Sequence, residues 1–176
     1  MRCGADATRS WHHRLWRSSL IRIARISRRR YAETVAVAYD GSGAARYGGR
    51  WNSRDVRIAY ASATLSLAAL ELRVHVSLAT LANDYVAAYA DIPDDAVIEL
   101  STLPDGWDAE YPPAAVQAIG DTFARDRTAL ALTVPSVLIP NEKNYLINPS
   151  HPDAKRIRFA AKLEPFVFAL RLFEKR

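Results

Sequence analysis

A mixed α+β domain is the fold class this sequence predicts, and three observations carry it. Short β-rich runs occupy both ends and the middle of the chain. Two stretches with helical spacing lie between them. The resulting order, strands, helix, strands, helix, strands, lacks the regular βαβ rhythm of a doubly wound sheet. With 176 residues, 49% of them apolar, the chain is long enough for one domain with its own core. The expected boundaries are a basic, poorly ordered N-terminal extension over 1–19 and the domain over 20–176.

Ser19–Ile26 alternates in part, with Leu20, Arg22, Ala24 and Ile26 on one side and Ile21, Ile23 and Arg25 on the other, so it reads as the first strand. After an arginine cluster and Val35–Tyr39 comes a small-residue loop, Asp40-Gly41-Ser42-Gly43, and then Gly48-Gly49. Such glycines permit positive φ or close backbone approach. Val56–Ala61 is a short strand ending in Tyr60. Ser62 or Thr64 can cap a helix from Leu65 to about Leu78, whose Leu67, Leu70, Val74 and Leu78 recur at helical spacing and are expected to face the core. Tyr85–Ile92 and Val97–Leu100 read as strands. Pro112-Pro113 starts a helix over Ala114–Arg125, with Val116, Ile119 and Phe123 inward. Leu130–Val134 and Ser136–Ile139 read as strands or one bent strand. Asn144–Ile147 leads into turn signals at Asn148-Pro149 and His151-Pro152, and Val167–Phe173 alternates as a final strand.

The net charge of +5 invites a nucleic-acid reading, but nine of the 24 basic residues lie in residues 1–30 against one acid, Asp6. The remaining 15 basic and 18 acidic residues make the body slightly acidic. A duplex-binding domain would carry a basic face on its folded part. Cys3 is the one cysteine, which rules out an internal disulfide and suits a reducing cytoplasm. No apolar run reaches the roughly 18 residues of a membrane helix. Neither nucleic acid nor a membrane is therefore an expected partner.

Walker, GxGxxG, HExxH and GxSxG motifs are all lacking, and His12, His13, His75 and His151 have no ligand spacing, so no metal site is expected. What remains is a dense polar cluster, Gly48-Gly49-Arg50-Trp51-Asn52, followed by Tyr60 and, 11 residues on, Glu71. A strand ending at Tyr60 and a helix returning over it bring both side chains toward one cleft. Each residue also has a plainer reading. Glu71 can pair with Arg73, Arg50 with a surface acid, Tyr60 can bury its ring, and Ser136 after Pro135 can be a turn hydroxyl. Trp51 and Trp107 read as packing residues.

Two separated stretches decide between these readings. GSGAARYGGRWNSRDVRIAYASATLSLAALELRVHV (41–76) and PSVLIPNEKNYLINPSHPDA (135–154) resemble the RES domain, with the Gly106-Trp107 pair and the helix near 116–127 matching between them. The likeness runs from about Leu20 to Phe173. It implies an ADP-ribosyltransferase-like mixed fold, with small antiparallel sheets and flanking helices. It also implies the toxin of a toxin–antitoxin pair that breaks down NAD+, held in check by an Xre-type helix-turn-helix antitoxin. Carried over by position, it assigns Arg25, Arg50, Tyr60, Glu71 and Ser136 to the site. Arg22-Ile23 offers the same dipeptide as Arg25-Ile26 three residues earlier.

On this likeness Glu71 stabilises the positive charge that develops on the ribose as nicotinamide leaves, Arg25 and Arg50 grip the pyrophosphate or ribose, Tyr60 stacks on nicotinamide, and Ser136 hydrogen-bonds the ribose or carboxamide. The acceptor is water or inorganic phosphate, NAD+ is substrate rather than prosthetic group, and a homodimer stays open. Two competing readings are ADP-ribose transfer to a macromolecule and a nucleic-acid-binding module driven by the Arg-rich N-terminus.

Overall fold

Residues 19–173 are described in a computed structural model, so apart from Ser19 the expected N-terminal extension lies outside the described residues. Eight strands form one sheet: β1 (Leu20–Arg28), β2 (Ala59–Ser62), β3 (Tyr85–Pro93), β4 (Val97–Glu99), β5 (Ala131–Pro135), β6 (Lys143–Ile147), β7 (Arg158–Phe159) and β8 (Glu164–Phe166). Their order is β4-β5-β6-β2-β1-β3-β7, with β8 also on β3. Among the described residues only β4 and β5 are parallel, and the other pairs are antiparallel. The α+β class holds, with the strands joined in one continuous sheet instead of the several small ones expected.

β1 lies inside the sheet and pairs with β3 along its whole length, Leu20↔Pro93 to Arg28↔Tyr85. Both of its faces are covered, since Ile23 and Ala24, which point opposite ways, are buried. That explains why its alternation in the sequence is only partial. Against β2 it makes one registered pair, Ala24↔Ser62, so a seam opens between these two strands. The helices are α1 (Val35–Ala38), α2 (Ser42–Tyr47), α3 (Leu65–Arg73) and α4 (Ala114–Asp126). The small-residue stretch expected to be a loop winds into α2, because the Asp40 carboxylate accepts the Ser42 amide at 2.8 Å and starts the turn.

Three expectations are corrected. The helix predicted to reach Leu78 stops at Arg73, whose guanidinium bonds the Val76 carbonyl at 3.1 Å, and β-branched Val74 and Val76 disfavour another turn. Its phase also differs: Leu67 and Ala68 are buried, whereas Leu70 and Val74 are 41% and 56% exposed. The inward face is thus rotated toward the Glu71 side. Ser136–Ile139 is a turn, because the Ser136 hydroxyl accepts the Leu138 and Ile139 amides, both at 3.1 Å, and bends the chain away from the ladder. The predicted last strand over 167–173 does not form. Only 164–166 pairs with β3, and Leu170–Leu172 is a 3-10 turn whose Leu172 carbonyl is taken by Arg73. Phe168 is buried among Tyr85, Phe166 and Phe173, while Val167 and Leu170 are exposed. The apolar alternation there reflects an aromatic cluster and not a ladder.

Candidate active site

Glu71 is delivered by a short path. β2 runs through Ser62 and one further residue into α3, whose first turn is capped by Thr64 accepting the Leu67 amide at 3.0 Å. Two turns on, the Glu71 carboxylate meets both stems of the β5–β6 hairpin. Ser136, closing β5, donates its hydroxyl to Oε1 at 2.7 Å, and Asn144, opening β6, donates Nδ2 to the same oxygen at 2.6 Å. Among the described residues Oε2 accepts no hydrogen bond, and no arginine or lysine pairs with Glu71. Arg73 is turned to the Val76 and Leu172 carbonyls, so the plain helix ion pair does not occur.

Ser136 is fully buried and its hydroxyl is fully used, donating to Glu71 and accepting two amides. No capacity is left for a ribose or carboxamide, the role the resemblance implied. Its place is behind the carboxylate.

A second network holds the GGRWN loop. The Tyr60 hydroxyl donates to Asn52 Oδ1 at 2.7 Å and accepts the Trp51 amide at 3.0 Å. Asn52 is wholly buried and spreads Nδ2 over the Ala44, Ser53 and Val56 carbonyls. A side chain at Gly49 would stand 2.7 Å from the Tyr60 hydroxyl, so this approach needs glycine. From α4, Gln117 bonds the Gly49 and Asn52 carbonyls and Asp121 accepts the Ser53 amide. Arg50 leaves this loop to donate Nη1 to the Trp107 and Ala109 carbonyls at 2.7 and 2.8 Å, and Trp51 stacks on Trp107 at 6.3 Å between ring centroids. The two tryptophans are packing residues, as expected. Burial raises the Tyr60 phenol well above its usual value.

Arg25 stands at the β1–β2 seam, where Nη1 donates to the Tyr60 carbonyl at 2.6 Å. Its Nε is sealed from solvent with no partner among the described residues, although the residue as a whole keeps some exposure. Desolvation lowers its pKa, against the opposing pull of Tyr39, Asp40 and Tyr60. Arg22, the alternative dipeptide, is 63% exposed beside Asp91 and makes no contact of this kind.

Two of the five predicted residues, Arg25 and Tyr60, thus share β2 or its seam. Tyr60 and Ser62 lie two apart, on one face of β2, and anchor the loop network and the Glu71 network respectively. Among the described residues no hydrogen bond or ion pair joins Glu71 to Arg25, Arg50 or Tyr60. The sequence reading missed Asn144, Ser62 and Gln117. Asn144 lies inside the C-terminal motif, so its position, though not its role, was in view. An open groove of about 580 Å³ beside Thr64, Lys143 and Tyr145 contains none of the predicted residues, since Lys143 and Tyr145 point away from the Asn144 side of β6. Among the described residues no group of three or more His, Cys, Asp or Glu could hold a metal ion.

The family model of the RES domain matches residues 22–169, spanning both motifs and both networks. The chain belongs to the RES domain family. This RES domain is 39% identical over 140 residues to a protein named Prs ADP-ribosylating toxin from Sphingobium sp. (strain YBL2), covering 77% of this chain and 86% of the relative. It is 34% identical over 131 residues to a protein named Toxin Res from Photorhabdus laumondii subsp. laumondii, covering 73% and 82%. Its fold is shared with a chain in the crystal structure of the M. tuberculosis MbcT–MbcA toxin–antitoxin complex, at a TM-score of 0.63 and 19% identity over 84% of this chain and 86% of that one.

Proposed function

We propose that this RES domain is the toxin of a toxin–antitoxin pair and cleaves the nicotinamide–ribose bond of NAD+. The observation that carries the proposal is the Glu71 carboxylate, fixed through Oε1 by Ser136 and Asn144 with Oε2 left to face a substrate. Breaking this bond releases neutral nicotinamide from a charged pyridinium, so the leaving group needs little protonation. The difficulty lies in the positive charge gathering on the ribose, and an oriented carboxylate lowers that barrier. Arg25, with a buried guanidinium and no carboxylate bonded to it among the described residues, and Arg50 supply charge for the pyrophosphate. Because the Tyr60 hydroxyl is committed to the GGRWN loop, only its ring is left to meet the nicotinamide.

The acceptor is water or inorganic phosphate. The name of the Sphingobium relative, an ADP-ribosylating toxin, favours a second reading, in which the same bond is broken and ADP-ribose passes to a protein. The partner in both cases is an antitoxin of the Xre helix-turn-helix type that covers the cleft, a reading supported by the fold shared with a toxin–antitoxin complex.

Purified protein incubated with labelled NAD+, with and without phosphate and with bacterial lysate, tests both. Free nicotinamide with ADP-ribose or its phosphate ester supports breakdown, and label fixed to protein supports transfer. Glu71→Ala and Arg50→Ala are expected to lose nicotinamide release while staying folded. Wild-type turnover in either variant would remove that residue from the site.

A further inference from the structure

Glu71 is held by a chain of hydrogen bonds that begins at Ser62, the last residue of β2. Ser62 on β2 donates its hydroxyl to Asn144 Oδ1 at 2.7 Å, and Asn144 Nδ2 donates to Glu71 Oε1 at 2.6 Å. Ser62 and Asn144 are cross-strand partners in the β2–β6 ladder, so their side chains stand on one face at a distance set by the sheet. Ser62 is 3% exposed. The amide has one workable orientation here. Flipped, its oxygen would face the carboxylate and its NH2 the Ser62 hydroxyl, replacing a charge-assisted bond by acceptor–acceptor repulsion.

We infer that Asn144, oriented by Ser62, is a positioning residue that sets the direction of the Glu71 carboxylate, an inference that rests on the proposed role of Glu71. Glu71 ends a three-torsion side chain on a helix of nine residues, and α3 alone cannot choose its rotamer. Ser136 supplies one donor to Oε1, which leaves the carboxylate free to swing about that bond. Asn144 supplies the second donor to the same oxygen from the other hairpin stem, and two fixed donors on one oxygen leave Oε2 with one direction to face. Neither Asn144 nor Ser62 need touch a substrate for this, because both act through Glu71. Ser62 acts one step further back, through the amide.

Steady-state NAD+ cleavage by the full-length protein tests the inference, with thermal melts alongside. The variants are Glu71→Ala, Asn144→Ala, Asn144→Asp, Ser62→Ala and Ser62→Ala/Asn144→Ala. Asn144→Asp keeps the side-chain volume but turns an oxygen toward Glu71, and it is expected to lose about 100-fold in kcat with KM little changed. Ser62→Ala, the mild variant, is expected to lose about tenfold. The double variant is expected to lose no more than Asn144→Ala alone, since Ser62 has no route to Glu71 except through the amide. Wild-type kcat in Asn144→Asp, in a protein that Glu71→Ala silences, overturns the inference and leaves the site standing. Losses from Ser62→Ala and Asn144→Ala that multiply overturn the relay from Ser62. Wild-type turnover in Glu71→Ala instead overturns the site assignment itself.

Discussion

Gly120→Ala adds one methyl group at the crossing of α4 over the GGRWN loop. A Cβ at Gly120 would lie 1.7 Å from the Trp51 carbonyl oxygen and 2.9 Å from its carbon. Ordinary carbon–oxygen contacts begin near 3.3 Å, so helix and loop must part by roughly 1.5 Å. That separation breaks the Gln117 bonds to the Gly49 and Asn52 carbonyls and the Asp121 bond to the Ser53 amide. At about 1 kcal/mol each these come to about 3 kcal/mol. Overpacking adds about 1–3 kcal/mol, and the better helix propensity of alanine returns about 1 kcal/mol. The expected net loss is about 3–5 kcal/mol, which lowers the melting temperature by roughly 10 °C for a domain of this size.

The control is Gly43→Ala in α2, where a Cβ meets nothing within 4 Å. It is expected to be neutral or to stabilise by up to about 1 kcal/mol. Thermal and urea unfolding of the two variants beside wild type measure both effects. A Gly120→Ala protein that melts no lower than Gly43→Ala would refute the claim that direct backbone contact seats the Arg50 loop.

Ser136→Ala removes one donor to Glu71 and the acceptor for two amides; urea unfolding is expected to show a loss of about 2–4 kcal/mol, and a loss under about 0.5 kcal/mol would mean the turn does not depend on the hydroxyl. Burial raises the phenols of Tyr39 and Tyr60 above their ordinary 10.0, so the unfolded chain releases these protons first as pH rises. Their contribution to stability is therefore full below about pH 10 and is lost as pH climbs toward the folded values. Melts between about pH 8 and 11 should fall for wild type and flatten for a Tyr39→Phe/Tyr60→Phe variant; parallel curves for the two proteins would contradict the burial argument.

Much of the candidate site was legible as residue types in order. The glycines, Arg50 and Asn52 of one motif and the Pro135-Ser136 and Asn144 of the other stand in the sequence as chemistry that survives without coordinates. So do α4, announced by Pro112-Pro113 and its apolar spacing, and β3, announced by its length. Wherever the outcome depended on which partner a segment meets, local pattern failed. Leu70 and Val74 have the spacing of a buried stripe, yet α3 is turned so that they face outward and Glu71 faces the hairpin. Val167–Phe173 alternates like a strand, but Arg73 and an aromatic cluster hold it off the ladder.

The α+β class was written in the short-range order of the chain, and the two motifs carried the family and the five residues proposed for the site. Tertiary structure decided that the Ser136 hydroxyl donates to Glu71 and accepts two backbone amides, and that Arg25 rather than Arg22 enters the β1–β2 seam. It also brought Asn144 and Ser62 to the carboxylate. Apart from the two amides, those facts hang on hydrogen bonds between residues 35 to 82 positions apart. Such bonds are set by strand register and helix rotation, which follow from packing the whole chain at once.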